Sequence, residues 1–173
     1  MALILNIETT STNCSVSLSA GIEIISLKED NNKNFSHSES LHLFIEDVLN
    51  KADKPLSSID AIAVSEGPGS YTGLRIGVSA AKGLCYSLDV PLISVSTLHA
   101  LAYQKQVDNG VIVPMLDARR LEVYSAVFSN SYKIIREVRP QILNENSFSE
   151  YLENGEVYFV GNANEKAKMV IQH

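Results

Sequence analysis

The residues Ser65-Glu66-Gly67-Pro68-Gly69-Ser70-Tyr71-Thr72-Gly73-Leu74-Arg75-Ile76-Gly77 are the segment best suited to chemistry. Pro68 sets its own φ, and Gly67 and Gly69 permit turn conformations closed to other residues. The loop leads into a helix N-terminus, where free amides and the dipole favour an anion, so phosphate binding is one chemistry it could serve. The spacing departs from a P-loop, which needs four residues between its glycines and then Lys-Ser/Thr; here Leu74-Arg75 follows Gly73.

The helix after the loop is rich in small residues: Gly73, Gly77, Ser79, Ala80, Ala81 and Gly83. Each glycine costs about 1 kcal/mol of helix propensity relative to alanine, so close packing should offset it. The stripe fits either the chain's own sheet or an equivalent helix of a partner.

The histidines do not assemble a metal site. His37 and His42 are five apart, about 140° around a helix, and diverge. His42 and Glu46, one turn apart, read as a surface pair or a metal pair. His173 is the terminal residue. No His-Glu-x-x-His, Cys-x-x-Cys or Gly-x-Ser-x-Gly occurs. Cys14 and Cys85 sit in apolar runs, which excludes a disulfide framework and points to a reducing cytoplasm.

The elements that must position these residues follow from periodicity. Residues 2–7, 14–19 and 22–28 read as an antiparallel three-stranded meander. A capping box at Ser36 and Glu39 opens a helix whose face is Leu41, Phe44, Ile45, Val48 and Leu49. A strand at 61–64, the glycine loop, a helix at about 72–88, a strand at 92–95 and a short helix to about 105 complete the first set. Three strands then recur at 111–116, 122–128 and 133–138, followed by a helix at 147–153, a strand at 157–160 and a helix running to the end. A β-β-β-α-β-α order therefore appears twice, which suggests duplication. We expect lobes at 1–106 and 107–173, the second lacking its last strand and helix as in a truncated chain. The pattern is that of an α/β, duplicated actin/sugar-kinase/Hsp70-like (ribonuclease H-like) fold, a mixed sheet flanked by helices, and fold alone carries no function.

In ATPases of that fold each copy opens with a strand ending in Asp and a glycine-containing hairpin around the phosphates. The matching acids here are Glu8 and Asp117. No glycine follows Glu8 until Gly21, and Asp117 leads into Ala118-Arg119-Arg120. Arg119 is expected to pair with Asp117 or Glu122, or to anchor a partner.

Of 173 residues, 45% are hydrophobic and 20% charged, with a net charge of −6, which suits a globular chain without a general nucleic-acid face. Residues 1–70 hold 4 basic and 10 acidic residues, whereas 119–139 hold 5 basic and 2 acidic. Arg119, Arg120, Lys133, Arg136 and Arg139 would share a face if a hairpin gathered them, either as edge protection or as a weak anion contact. No apolar run reaches the roughly 20 residues of a membrane span.

The string from Gly67 to Val78, with Ala81-Lys82-Gly83-Leu84, resembles the signature of the bacterial TsaB (YeaZ) family. Ile7-Glu8-Thr9-Thr10, His37-Ser38, residues 94–98, Leu116-Asp117-Ala118-Arg119 and Glu122-Val123-Tyr124 agree with it. The resemblance implies a non-catalytic subunit in threonylcarbamoyl modification of the adenosine next to the tRNA anticodon. It would pair with the catalytic paralogue TsaD, recruit the ATPase TsaE and form a homodimer alone, with tRNA contacted weakly or indirectly and no cofactor of its own. The implied interface is Leu41, Ile45, Gly73, Arg75, Ile76, Gly77, Ser79, Ala80, Lys82 and Gly83. The motif residues are Glu8, Thr9, His37, Gly67, Pro68, Gly69, Thr72, Asp117, Arg119 and Glu122. The two metal-binding histidine positions of TsaD fall on Thr97 and Leu101, so the older "glycoprotease" label finds no ligands here. An ATP-dependent small-molecule kinase or a metal-dependent hydrolase of the same fold is the alternative.

Overall fold

The computed structural model describes residues 1–30 and 37–171. The strands β1 (Leu3–Glu8) and β2 (Cys14–Ala20) alternate buried and half-buried residues. Their antiparallel register sets Leu5 opposite Leu18 and Ile7 opposite Val16. That alternation sends Leu3, Leu5, Ile7, Cys14, Val16 and Leu18 to one face. The helix α1 (His37–Lys51) covers that face with Leu41, Phe44, Ile45, Val48 and Leu49, the i, i+3, i+4 stripe of the sequence. Each fully buried aliphatic side chain contributes about 1.5–3 kcal/mol. The Ser36 half of the expected capping box lies outside the described residues.

β3 (Glu23–Asp30) pairs antiparallel with β2, while β4 (Ala61–Gly67) and β5 (Leu92–Ser96) add parallel strands on the other side of β1. The sheet order is β3-β2-β1-β4-β5. Between β4 and β5 runs α2 (Tyr71–Leu88), closed by Asp89 in the left-handed conformation, whose amide donates to the Cys85 carbonyl.

The second sheet repeats the first in the order β8-β7-β6-β9, built from β6 (Val111–Asp117), β7 (Glu122–Ser129), β8 (Ile134–Ile142) and β9 (Val157–Val160). β6 is antiparallel to β7 and parallel to β9, as β1 is to β2 and β4. Helices α4 (Ser149–Leu152) and α5 (Asn164–Val170) occupy the places of α1 and α2. β6 is buried on both sides. Val113 and Met115 join the cluster around Phe148 and Ala167, and Ile112 and Leu116 join Leu98, Ala102 and Phe128.

The chain divides into two compact units between Ser96 and Thr97, not between Gln106 and Val107. The cause is α3 (Thr97–Ala102), which packs Leu98 and Ala102 on Ile112, Leu116, Ala126 and Phe128 of the second unit. A short apolar helix joins the unit that covers it, and its position along the chain does not reveal which one that is. Among the described residues no helix is long and apolar enough to cross a membrane.

Candidate functional site

The end of β1, the start of α2 and the tip of β4 form one interlocked knot. Glu8 uses both carboxylate oxygens inside it. Oε1 accepts from the Thr10 amide at 2.6 Å and the Thr10 hydroxyl at 2.5 Å, and Oε2 accepts from the Ser65 hydroxyl. Thr10 and Ser65 are themselves buried. The Ser70 amide donates to the Thr10 carbonyl at 2.6 Å, and the Ser70 hydroxyl caps α2 by accepting from the Gly73 amide at 3.2 Å. Thr9 completes the knot, its hydroxyl donating to the Gly73 carbonyl at 2.8 Å.

The glycines make this approach possible. A Cβ on Gly73 would lie 1.9 Å from the Thr9 carbonyl oxygen, and one on Gly77 2.3 Å from the Thr9 hydroxyl. Gly69 is needed for the same reason, since its Cβ would lie 2.4 Å from the Thr10 carbonyl oxygen; its φ is not in the left-handed region, contrary to the turn role expected of it. Gly67, with φ +108°, does occupy a conformation that side chains resist. The small-residue stripe of Gly73, Gly77 and Ala81 is thus buried against the chain's own sheet.

Two further members of the expected interface lie in the core. Leu41 is 0% and Ile45 5% exposed. An apolar helical stripe signals burial, and here the covering surface is the unit's own sheet. Ile76 and Ala80 also turn toward that core. Arg75, Ser79, Lys82 and Gly83 stay on the open side of α2, with Thr72 and the exposed rings of Tyr71 and Tyr86. Arg75 lies over the Tyr71 ring, 5.5 Å from its centroid, and nothing stands within 4 Å of a Cβ built on Gly83. Next to this side, a cleft of about 370 Å³ runs between α1 and α2, with Ile45, Leu49, Leu56 and Leu84 among its walls. His42 and Glu46 line it too. Among the described residues no three His, Cys, Asp or Glu side chains gather as metal ligands. Only the backbone of His37 is described.

The second unit repeats the acid-bearing turn with different partners. Asp117 Oδ1 accepts from the Arg119 amide at 2.8 Å, as Glu8 does from the amide two residues on. Its side-chain partner is Lys166 of α5 at 2.6 Å, not Arg119 as expected. Lys166 also donates to the Glu122 carbonyl at 3.0 Å, and the Asp117 amide donates to Asn162. Arg119 and Arg120 have φ of 76° and 46°, so the hairpin turns through the left-handed region and holds the arginines by their backbone. Burial raises the Asp117 carboxyl, but the Lys166 hydrogen bond, the Arg119 amide and the Lys166 charge outweigh it and hold the group below its ordinary 3.8.

This depressed value has a sign that can be checked. The pair's stabilisation is present above 3.8 and is lost as pH falls through the lower folded value. With Asp117 45% exposed, the effect on stability is small. An NMR titration should place the Asp117 midpoint below 3.8 and move it up in Lys166→Met; an unmoved midpoint would remove Lys166 as the cause.

The five basic residues do not gather on one face. Arg119 and Arg120 lie at the β6–β7 turn and Lys133 at the β7–β8 turn, at opposite ends of β7. Arg136 and Arg139 line one cleft together. Thr97 and Leu101, which the sequence led one to expect at metal-ligand positions without ligating side chains, are respectively buried at the start of α3 and half-buried. His99 stacks on Phe128 with centroids 4.9 Å apart. The sequence reading missed Thr10, Ser65 and Lys166 as partners of the two acids. A usable signal was Thr10, a hydroxyl two residues after an acid that ends a strand.

A mixed sheet with its first strand central, built twice and with an acid ending that strand in each copy, defines an actin/sugar-kinase/Hsp70-like protein. Residues 31–168 match the family model described as TsaD: tRNA N6-adenosine threonylcarbamoyltransferase. The tRNA threonylcarbamoyladenosine biosynthesis protein TsaB of Buchnera aphidicola is 31% identical over 157 residues, covering 88% of this chain and 70% of that one. TsaB of Bacillus subtilis is 39% identical over 105 residues, 61% of this chain and 46% of that protein. The solved structure of YeaZ from Pseudomonas aeruginosa superposes with a TM-score of 0.72 at 28% identity, covering 82% of this chain and 68% of that one. The chain belongs to the TsaB (YeaZ) family. It spans about half the length of the first curated relatives it matches.

Proposed function

We propose that this chain acts in tRNA threonylcarbamoyladenosine biosynthesis as a non-catalytic subunit that pairs with a TsaD-type transferase. The observation that supports this most is the open side of α2. Once Gly73 and Gly77 are buried against Thr9 after β1, the helix still presents Arg75, Ser79, Lys82, Gly83 and Tyr86, and its Leu84 lines the cleft shared with α1. Gly83 leaves room there for another helix to approach. A partner helix laid along this side would bury Tyr71 and Tyr86, 74% and 92% exposed in the free chain. Recruitment of the ATPase TsaE, homodimerisation without the partner, and a cytoplasmic location belong to the same reading. A kinase role fits less well, because both oxygens of Glu8 are occupied by the chain's own donors.

The test is co-elution with a TsaD-type protein on size exclusion at micromolar concentration, and threonylcarbamoyl-tRNA formation with and without this chain. Ser79→Arg should weaken pairing by at least about tenfold, or 1.4 kcal/mol, with unchanged unfolding. Ala80→Arg is a poorer probe because Ala80 packs on the core. Failure of the unmodified chain to pair would remove the proposal.

A further inference from the structure

A second feature, on β8, has no part in the pairing proposed above. Arg136 is half-buried, with Nη1 donating to Gln141 Oε1 at 2.7 Å and Nη2 to Ser125 Oγ at 2.6 Å. Both acceptors are neutral. Its Nε is buried with no acceptor, and the guanidinium lies over the Phe148 ring, 5.0 Å from the centroid. Among the described residues, neither Arg136 nor Arg139 has a carboxylate within 4.0 Å. Arg139 nevertheless lines the same cleft of about 270 Å³, with Gln141, Asn146, Ser149 and Glu150.

Withdrawing a guanidinium from water without a counter-charge is costly, and a second cation beside it raises the cost. Burial, then the charge of Arg139, pull the Arg136 guanidinium down from its ordinary range. Two arginines outnumber Glu150, which reaches neither of them. The cleft has room for a tetrahedral group and several waters, at about 30 Å³ per water. Guanidinium forks match such a group, whose tetrahedrally disposed oxygens can accept from both arginines at once.

We propose that the Arg136–Arg139 cleft binds a phosphoryl oxyanion, carried by a phosphate monoester or by the phosphodiester of a nucleic acid. The site is independent of pairing through α2 and would bind free phosphate in a chain that never met a partner.

Calorimetry on the full chain at low salt tests this with two probes, inorganic phosphate and a short single-stranded oligoribonucleotide. Phosphate is expected to bind below about 10 mM. Arg139→Gln, on an exposed residue, should weaken binding at least about tenfold with an unchanged thermal midpoint. Arg136→Lys, which keeps the charge and removes the fork, should weaken binding as much, with a lowered thermal midpoint because the bonds to Gln141 and Ser125 are lost. Binding of phosphate alone assigns a monoester ligand. Binding of both probes in competition, with the oligonucleotide weakening steeply as salt rises, assigns a phosphodiester. No heat from either probe, or binding indifferent to Arg139→Gln, overturns the site.

Discussion

Gly73→Ala is expected to destabilise the first unit by about 2–4 kcal/mol, although glycine-to-alanine changes inside helices ordinarily stabilise by about 1 kcal/mol. The sign reverses because of what the new methyl meets. It would stand 1.9 Å from the Thr9 carbonyl oxygen, a backbone atom held by β1 and by the Thr9–Gly73 hydrogen bond. A flexible side chain could step aside, but here the turn after β1 and the first turn of α2 must separate. That separation loses the Thr9 bond and loosens the Ser70–Thr10 contact, each worth about 1 kcal/mol. Gly83→Ala is the matched control on the same helix. With nothing within 4 Å of its Cβ, it should stabilise by up to about 1 kcal/mol. Gly77→Ala should fall between the two, since its obstacle is the rotatable Thr9 hydroxyl. Urea unfolding of all three variants decides the matter, and equal midpoints for Gly73→Ala and Gly83→Ala would mean that the close approach carries no energy.

The second large effect concerns Glu8. Glu8→Ala is expected to cost about 3–5 kcal/mol, because it strands the Thr10 amide, the Thr10 hydroxyl and the Ser65 hydroxyl in a largely dry site. Thr10 is 3% and Ser65 9% exposed, so water replaces the carboxylate poorly. Glu8→Gln should recover about half the loss: its carbonyl can still serve Thr10, and the Ser65 hydroxyl can turn to accept from the new amide. Amide exchange at Thr10 should accelerate in Glu8→Ala and recover in part in Glu8→Gln. An acid held ready for a nucleotide would behave in the opposite way. Removing such a group leaves stability unchanged or improves it, so a neutral or stabilising Glu8→Ala would return the site to catalytic candidates.

The two acids also mark where sequence and structure part company. The matching positions of Glu8 and Asp117 were legible from strand ends and from the repeated element order. Their partners were not, because Ser65 and Lys166 come from 57 and 49 residues away. Thr10 was the exception, being local. The stripe Gly73, Gly77 and Ala81 announced a close approach without saying to what. Leu41 and Ile45 raised the same difficulty, since an apolar face states that it is covered and is silent on whether the cover is the chain's own sheet or another molecule. Of the five basic residues within 119–139, Arg119 and Arg120 are separated from Lys133 by the length of β7, because a hairpin sets its two turns at opposite ends, while Arg136 and Arg139 lie along β8.

Period and punctuation, which depend on neighbouring residues, therefore determined the elements, their duplicated order and the family signature from the sequence alone. The tertiary structure decided which surfaces remain free. It turned Gly73 and Gly77 of α2 inward and left Ser79, Lys82 and Gly83 outside, put Arg136 and Arg139 in one cleft with no carboxylate within 4.0 Å of either among the described residues, and assigned α3 to the second unit. The physical reason is that secondary structure is set by contacts a few residues apart, whereas burial and charge pairing depend on residues that meet only after the sheets have formed.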